Sequence, residues 1–136
     1  MPRPQRADYL ALATYRHALR RFLHFSTEAA RGEGYTQQQY QVLLAIKAAP
    51  TSAGLTVGEL AETMHLRHHS AVGLVDRLTR RGLLRRKKDA EDRRRVRVSL
   101  TARGEKVLSR LAVIHLEELR QLGPQLVRSL RKLGAG

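Results

Sequence analysis

Apolar residues at helical spacing mark a long first helix, predicted from Asp8 to about Arg31. Its apolar stripe consists of Leu12, Tyr15, Leu19, Phe22, Leu23 and Ser26. Gly32 and Gly34 follow where the stripe stops, and glycine commonly ends a helix because it tolerates left-handed backbone. The first element is therefore an amphipathic helix whose apolar side needs another surface to cover it.

Two capping-box pairs predict the beginnings of the next two helices. In Thr36 with Gln39, and in Thr56 with Glu59, the threonine hydroxyl and the longer polar side chain are spaced to satisfy each other's backbone N–H groups. The first pair opens a helix that continues to about residue 48. The second opens a short helix whose inward residues are predicted to be Val57, Leu60, Ala61 and Met64.

A fourth helix and a hairpin follow. The helix has one apolar stripe, formed by Ala71, Leu74, Val75 and Leu78. Gly82 is placed to end it, and from Leu84 onward the apolar period changes towards two. The half-buried strand of the hairpin has its apolar positions at Val96, Val98 and Leu100. Asp89–Arg93 is the predicted tip, and a loose loop is expected there because no Asn-Gly or Asp-Gly pair marks a tight turn.

The final segment, from Thr101 to Leu133, is predicted to be helical. Thr101 suits the N-cap, although Gly104 stands where a full capping box has Glu or Gln. A break is expected near Gly123-Pro124 because proline cannot donate a helical hydrogen bond. The apolar residues of this segment are Val107, Leu108, Leu111, Ile114, Leu116, Leu119, Leu122, Leu126, Leu130 and Leu133. They exceed what one packing stripe hides, which favours burial against a second chain over a larger monomer core.

Composition narrows the class of partner. The 136 residues suit one domain, and 26 Lys and Arg against 12 Asp and Glu give a net charge of +14, which favours nucleic acid or an anionic membrane surface. Residues 67–97 contain twelve of these cations and four acids, so this stretch alone carries +8. The sequence has no cysteine, no apolar run of roughly 18 residues and no secretory segment after its basic N-terminus. A cytoplasmic protein without a cofactor is predicted.

The order helix, short turn, helix, basic hairpin is the layout of a winged helix-turn-helix. An exposed helix fits the major groove of DNA, where each base pair has its own donor and acceptor pattern, and an adjoining hairpin reaches the minor groove. The predicted DNA-binding residues of this recognition helix are Arg67, His68, His69, Ser70, Val72, Gly73, Arg77 and Arg80. Gly73 would let the backbone approach a base edge, and Arg77, Arg80 and Arg81 are placed to contact phosphates.

The run from Thr56 to Gly104 resembles the MarR family of bacterial regulators. The likeness lies in Ser-Ala-Val-Gly-Leu-Val-Asp-Arg-Leu (70–78), Arg-Arg-Gly-Leu (80–83), and Asp-Ala-Glu-Asp-Arg-Arg (89–94) leading to Leu-Thr-Ala-Arg-Gly (100–104). It implies a mainly α fold with a β-hairpin wing and one domain over residues 1–136. In that domain the winged helix-turn-helix covers about 55–100, and dimerisation helices from both termini cover about 8–48 and 101–133.

The resemblance also implies an obligate homodimer and an arginine of the wing tip in the minor groove, which matches Arg94. Asp92 would orient that arginine or its neighbour through a carboxylate–guanidinium pair. The predicted DNA-binding residues of the wing are Lys87, Lys88, Asp92, Arg93, Arg94 and Arg95.

The function expected from these features is sequence-specific binding of double-stranded DNA at a pseudo-palindromic operator, with repression as the outcome. Release by a small aromatic or anionic effector is a further hypothesis taken from the family, and no ligand-binding residue is assigned. If His68 and His69 contact DNA, affinity should change between about pH 6 and 7, because imidazole and imidazolium offer different donor sets.

Two other classes of function compete. His65, His68 and His69 have a spacing that can share a metal on one helix, as in an enzyme, but no cysteine and only Glu62 stand nearby. The other competitor is an architectural DNA- or RNA-binding protein. RNA binding usually needs exposed aromatic residues, and aromatics are only 4% here. Binding to random DNA as tight as binding to its own promoter would favour the architectural function.

Overall fold

The computed structural model describes residues 2–134; residues 1, 135 and 136 of the predicted domain lie outside the described part. Its elements are α1 (Arg6–Gly32), α2 (Gln37–Lys47), β1 (Leu55–Thr56), α3 (Val57–Met64), α4 (His68–Arg80), β2 (Leu84–Lys88), β3 (Val96–Leu100) and α5 (Ala102–Gly134). The expected architecture, mainly α with a small winged β-sheet, is confirmed.

Small residues, rather than large ones, line the buried side of α1. Its buried residues are Ala11, Ala18, Ser26 and Ala30. Leu12 and Leu23 of the predicted apolar stripe are each 48% exposed in this chain. α1 has apolar residues on two sides, and its small residues allow close approach of α5, against which it packs. The large leucines consequently face away from this chain.

The predicted capping boxes are both present. Gln39 N donates to Thr36 Oγ1 at 3.0 Å and Thr36 N donates to Gln39 Oε1 at 3.0 Å. In the second box, Glu59 N donates to Thr56 Oγ1 at 3.1 Å and Thr56 N donates to Glu59 Oε1 at 2.9 Å. These reciprocal hydrogen bonds fix where α2 and α3 begin.

The sheet has three antiparallel strands in the order β1-β3-β2, not the two of a simple hairpin. β1 pairs Leu55 with Val98, and β2 pairs Leu84 with Leu100. Gly54, just before β1, has a φ of 79°, and a Cβ there would collide with the carbonyl oxygen of Val98. Only glycine allows β1 to lie so close to the central strand.

α5 runs without interruption through Pro124, so the predicted break is absent. A proline removes one hydrogen bond from a helix, and in a helix of 33 residues the turns on both sides keep theirs. The N-cap expectation holds, since Gly104 N donates to Thr101 Oγ1 at 3.0 Å. No helix within residues 2–134 is long and apolar enough to cross a membrane.

The core lies where α2, α3, α4, the sheet and the first half of α5 meet. The predicted stripe of α4 is confirmed, because all four of its residues are buried. The largest fully buried side chains are Leu43, Leu60, Leu78, Leu83, Leu111, Val42, Val75 and Val98. The exposed large apolar side chains are Tyr9, Leu10, Leu12, Leu23, Leu44, Val113, Leu116, Leu119, Val127 and Leu130. Nearly all of these lie on α1 and α5.

Candidate nucleic-acid interface

The turn between α3 and α4 separates His65 from the other two histidines. His65 is the C-cap of α3 in the left-handed conformation, with a φ of 53°, and Leu66 N donates to Ala61 O at 2.9 Å. α4 begins only at His68, so the three histidines do not share one helix face. Within residues 2–134 no group of three potential ligands is arranged to hold a metal ion.

The polar side of α4 carries the residues predicted for the recognition helix. Arg67 is the N-cap residue, outside the helix proper, with extended backbone. The exposed members of the predicted set are Arg67, His68, His69, Arg77 and Arg80, and the half-buried members are Ser70, Val72 and Gly73. A Cβ at Gly73 would have nothing within 4 Å, so this part of the helix backbone is open to an approaching molecule.

Depressions flank α4 on both sides. One is a cleft of about 710 Å³ between α4, α3 and the wing, bordered by His68 and Val72 on α4 and by Arg94 on the wing loop. The other, of about 370 Å³, is bordered by His69, Arg77 and the side chain of Gln38 at the start of α2. The exposed face of α4 therefore forms a ridge with the wing tip beside it. Gln38 was not predicted, because its proximity to α4 depends on the packing of two helices that are distant in sequence.

At the tip of the wing, Asp92 and Arg94 form the carboxylate–guanidinium pair that the sequence suggested. Asp92 Oδ1 accepts from Arg94 N at 3.1 Å and from Arg94 Nε at 3.2 Å, and Oδ2 accepts from Arg94 Nη2 at 3.4 Å. These hydrogen bonds lower the pKa of Asp92. The Arg94 side chain is 92% exposed, so it projects into solvent, while its backbone N–H is held by Asp92.

Hydrogen bonds around Asp89 close the wing loop, for which the sequence predicts a loose conformation. Asp89 is buried, and its Oδ1 accepts from Arg97 Nε at 2.8 Å while its Oδ2 accepts from Asp92 N at 3.3 Å. The hydrogen bond from Arg97 lowers the pKa of Asp89. The backbone N–H of Asp89 also donates to Arg95 O at 3.0 Å. The loop is therefore closed by hydrogen bonds to the buried carboxylate of Asp89 and not by a tight turn.

The wing is also tied to the beginning of α3. Arg95 Nη2 donates to Thr56 Oγ1 at 3.3 Å, and Arg97 Nη1 lies 3.8 Å from Glu59 Oε1. Hydrogen bonds from Thr56, first of all from its backbone N–H, lower the pKa of Glu59. Arg95, predicted as a DNA contact, is thus engaged by the capping box of α3, although about half of its side chain remains exposed.

Two further arginines have partners within the chain. Arg86 on β2 forms an ion pair with Asp76 on α4, which joins the wing to the recognition helix. Arg81 lies over the ring of Tyr35, 4.0 Å from its centroid, and its Nη1 donates to Gly34 O at 2.9 Å. Cation–π stacking therefore holds Arg81, which the sequence predicts to contact a phosphate, against the turn before α2.

The remaining cations of this region give the face its positive potential. Of the Lys and Arg side chains between residues 67 and 97, all except Arg97 are exposed. In the described part of the chain, those with no acidic partner are Arg67, Arg77, Arg80, Arg81, Arg85, Lys87, Lys88 and Arg93. They lie on α4, at its two ends and along the wing.

A family model described as the MarR family matches residues 33–95. Residues 33–95 belong to the MarR family. This MarR-family segment runs from the turn before α2 to the end of the wing loop, and so contains both capping boxes, α4 and Arg94. The resemblance inferred from the sequence is confirmed.

A relative of known role supports the same assignment. BadR, a transcriptional activatory protein of Rhodopseudomonas palustris, is 35% identical over 86 residues, which is 63% of this chain and 49% of BadR. The chain spans about half the length of the curated relatives it matches. Both relatives are named as transcriptional proteins, BadR as an activatory protein and YsmB of Bacillus subtilis as an uncharacterized HTH-type regulator.

Solved MarR-family structures share the fold over most of the chain. AbsC, a MarR family transcriptional regulator from Streptomyces coelicolor, is 19% identical with a TM-score of 0.79, and the match covers 97% of this chain and 92% of AbsC. The complex of S. aureus MepR with DNA is 27% identical with a TM-score of 0.68, covering 82% of this chain and 84% of MepR. The winged helix fold is thereby established.

Proposed function

We propose that this MarR-family chain is a sequence-specific transcriptional regulator that binds double-stranded DNA as a homodimer. The observation that carries the proposal is the cleft that α4 and the wing share. It brings the polar side of α4 and the exposed Arg94 to one side of the molecule, among cations that lack acidic partners. Of the structural relatives, MepR is known in complex with DNA.

In this proposal α4 enters the major groove. Its first residues, His68 and His69, lie where helix N–H groups and side-chain donors meet phosphates and base edges. Gly73 lets the backbone approach, and Arg77 and Arg80 contact phosphates.

The wing follows the DNA backbone into the adjoining minor groove, where Arg94 is attracted by the negative potential of a narrow A·T-rich segment. Lys87, Lys88 and Arg93 neutralise phosphates along the way, without sequence preference. Asp92 is not a base contact in this arrangement, because it accepts hydrogen bonds from Arg94. Arg95 has two roles in this arrangement: it contacts a phosphate, and it anchors the wing to the beginning of α3.

A second copy of the chain is proposed to cover the apolar faces of α1 and α5. Leu12 and Leu23 on α1, together with Leu116 and Leu130 on α5, are large apolar side chains about half exposed to solvent. Monomeric proteins rarely leave so many apolar residues uncovered on paired helices. With two-fold symmetry, the two α4 helices would enter successive major grooves about 10 bp apart on a pseudo-palindrome.

The regulatory outcome is the finer part of the proposal. Repression follows where the operator overlaps a promoter, because a bound dimer excludes other proteins; BadR, by contrast, is named an activatory protein. Release by a small aromatic or anionic ligand is included in the proposal. The cleft beside α4 supports it, since Val57, Val72 and Val96 line it together with the cation of Arg95.

Selection of DNA from a random pool by the purified chain tests the proposal. A recovered pseudo-palindrome whose half-sites are about 10 bp apart, bound by two protomers in sedimentation, is the expected result. Recovery of no consensus by a protein that stays monomeric would overturn it. A non-specific architectural protein would bind the unselected pool as tightly as the selected duplexes.

A further inference from the structure

We infer that Asp89 is a positioning residue for Arg94 and acts on it through Asp92. The inference rests on the proposed function, because the purpose of the arrangement is to present Arg94 to the minor groove. Nothing in the sequence motif of the wing tip distinguishes Asp89 from an ordinary turn acid. Its burial and its partners do.

Asp89 connects the start, the middle and the end of the wing loop. It is only 7% exposed, although it lies in the most highly charged part of the chain. Its carboxylate accepts from Asp92 N at 3.3 Å and from Arg97 Nε at 2.8 Å, and its own N–H donates to Arg95 O at 3.0 Å. The loop therefore closes around one carboxylate.

Asp92 connects Asp89 with Arg94. Its backbone N–H is held by Asp89, and its carboxylate accepts from both the backbone N–H and the guanidinium of Arg94. In the described part of the chain, the recorded hydrogen bonds of the Arg94 side chain go to Asp92 alone. A substitution that breaks the hydrogen bond between Asp89 and Asp92 therefore loosens the backbone segment from which the Arg94 side chain projects.

Arg97 fixes this loop to the body of the domain. Besides pairing with Asp89, it donates through Nη1 to Gly54 O at 3.2 Å and lies near Glu59. Gly54 and Glu59 belong to the scaffold next to β1 and α3, whereas Asp89 belongs to the loop. The pair of Asp89 and Arg97 consequently sets the position of the loop relative to β1 and α3.

The physical benefit is preorganisation. A free arginine at the tip of a loose loop loses rotamer and loop freedom when it enters a groove, and this loss weakens binding. A loop closed in advance around Asp89 has already lost most of that freedom. The contribution of Asp89 should therefore appear only where Arg94 is inserted, at a narrow minor groove.

The test measures the Kd of the 136-residue chain for two duplexes that share the selected half-sites. One has an A·T-rich wing site and the other a G·C-rich wing site with a wider minor groove. Asp89→Asn is expected to weaken binding to the first about tenfold and to the second less than twofold. Glu91→Gln is the matched control, since Glu91 is an exposed acid of the same loop, and it should change neither affinity by more than about twofold.

A double-mutant cycle separates positioning from general weakening. In an Arg94→Ala background, Asp89→Asn should add less than a twofold loss, because the residue on which it acts is gone. Equal losses in both backgrounds, or equal losses on both duplexes, would overturn the inference. If Asp89→Asn melts at lower temperature than the parent, Arg97→Lys, which keeps the charge but loses the Nε contact, is measured in the same cycle with the same expectation.

The two proposals fail in different ways. A wild-type chain that binds selected and scrambled duplexes equally contradicts the proposed function itself. A wild-type chain that prefers its operator, while Asp89→Asn retains full affinity on the A·T-rich duplex, overturns only the role of Asp89.

Discussion

The Nε2 atom of His115 lies 2.8 Å from the hydroxyl oxygen of Ser26, across 89 residues of sequence. The other ring nitrogen, Nδ1, is 2.7 Å from Leu111 O, and a carbonyl can only accept, so Nδ1 carries the proton and Nε2 accepts from Ser26. Both residues are buried, and the imidazole stacks on Tyr40 with ring centroids 4.2 Å apart. This contact fixes α1 against α5 over the first residues of α2.

Ser26→Ala should lower the free energy of unfolding by about 1–2 kcal/mol, because it leaves a buried ring nitrogen without a partner. Urea denaturation followed by circular dichroism measures the change. Ser109→Ala, an exposed serine of α5, is the control and should alter stability by less than about 0.5 kcal/mol. Equal effects of the two substitutions would mean that the hydrogen bond between α1 and α5 contributes nothing.

Arg94→Ala should weaken operator binding by about 1–3 kcal/mol, with the greatest loss at sites that have a narrow minor groove. Lys87→Ala should instead weaken binding to all duplexes alike and flatten the dependence of affinity on salt. Fluorescence anisotropy at several salt concentrations distinguishes the two. Unchanged operator affinity in Arg94→Ala would show that the wing has been assigned the wrong role.

Gly73→Ala should separate stability from DNA binding. Because a Cβ at Gly73 meets nothing within 4 Å, alanine should stabilise α4 by about 0.5–1 kcal/mol, yet the added methyl group should hinder close approach to a base edge and weaken operator binding. Urea denaturation and anisotropy on the same variant give both quantities. A variant that is more stable and binds as well as wild type would argue against backbone approach at this position.

Gly54→Ala is the opposite case. At a φ of 79° and with its Cβ against Val98 O, alanine should destabilise the chain by more than about 1 kcal/mol. Gly73→Ala and Gly54→Ala are compared in one urea denaturation series. Opposite changes in the free energy of unfolding would show that the surroundings of each glycine, and not the loss of a glycine as such, decide the effect.

The capping box at Glu59 should make stability depend on pH in the acid range. Its pKa is lower in the folded chain than in the unfolded chain, so its contribution is present above the unfolded value and is lost as pH falls through the folded value. The stability difference between wild type and Glu59→Gln should therefore be largest near pH 7 and shrink below about pH 4. Glu62→Gln, which changes an exposed acid of the same helix outside the capping box, is the matched control.

Features with a local signal could be predicted from the sequence. The capping boxes at Thr36 and Thr56 depend on residues three apart, and the stripe of α4 depends on one turn of helix after another. The wing motif ending in Arg94 was also recognisable, because its residues are consecutive. Each of these required no knowledge of what packs against the element.

Features that depend on distant partners could not be predicted. Leu12 and Leu23 look like core residues until α5 is seen to pack on the alanines of α1. β1 is two residues long and exists only because Val98 pairs with it. Asp89 becomes more than a turn residue through Arg97, eight positions away and on the next strand. Likewise, the sequence did not indicate that His115 is buried, because its hydrogen-bond partner Ser26 lies 89 residues away on α1.

The central claim is that α4 and the wing together recognise a DNA sequence. Its most direct measurement is the ratio of two dissociation constants for the 136-residue chain at one salt concentration. One is for a duplex selected from a random pool and the other is for a scrambled duplex of the same composition. The selected duplex should bind about a thousandfold more tightly or better, with two protomers per duplex. Equal dissociation constants for the two duplexes would contradict the claim.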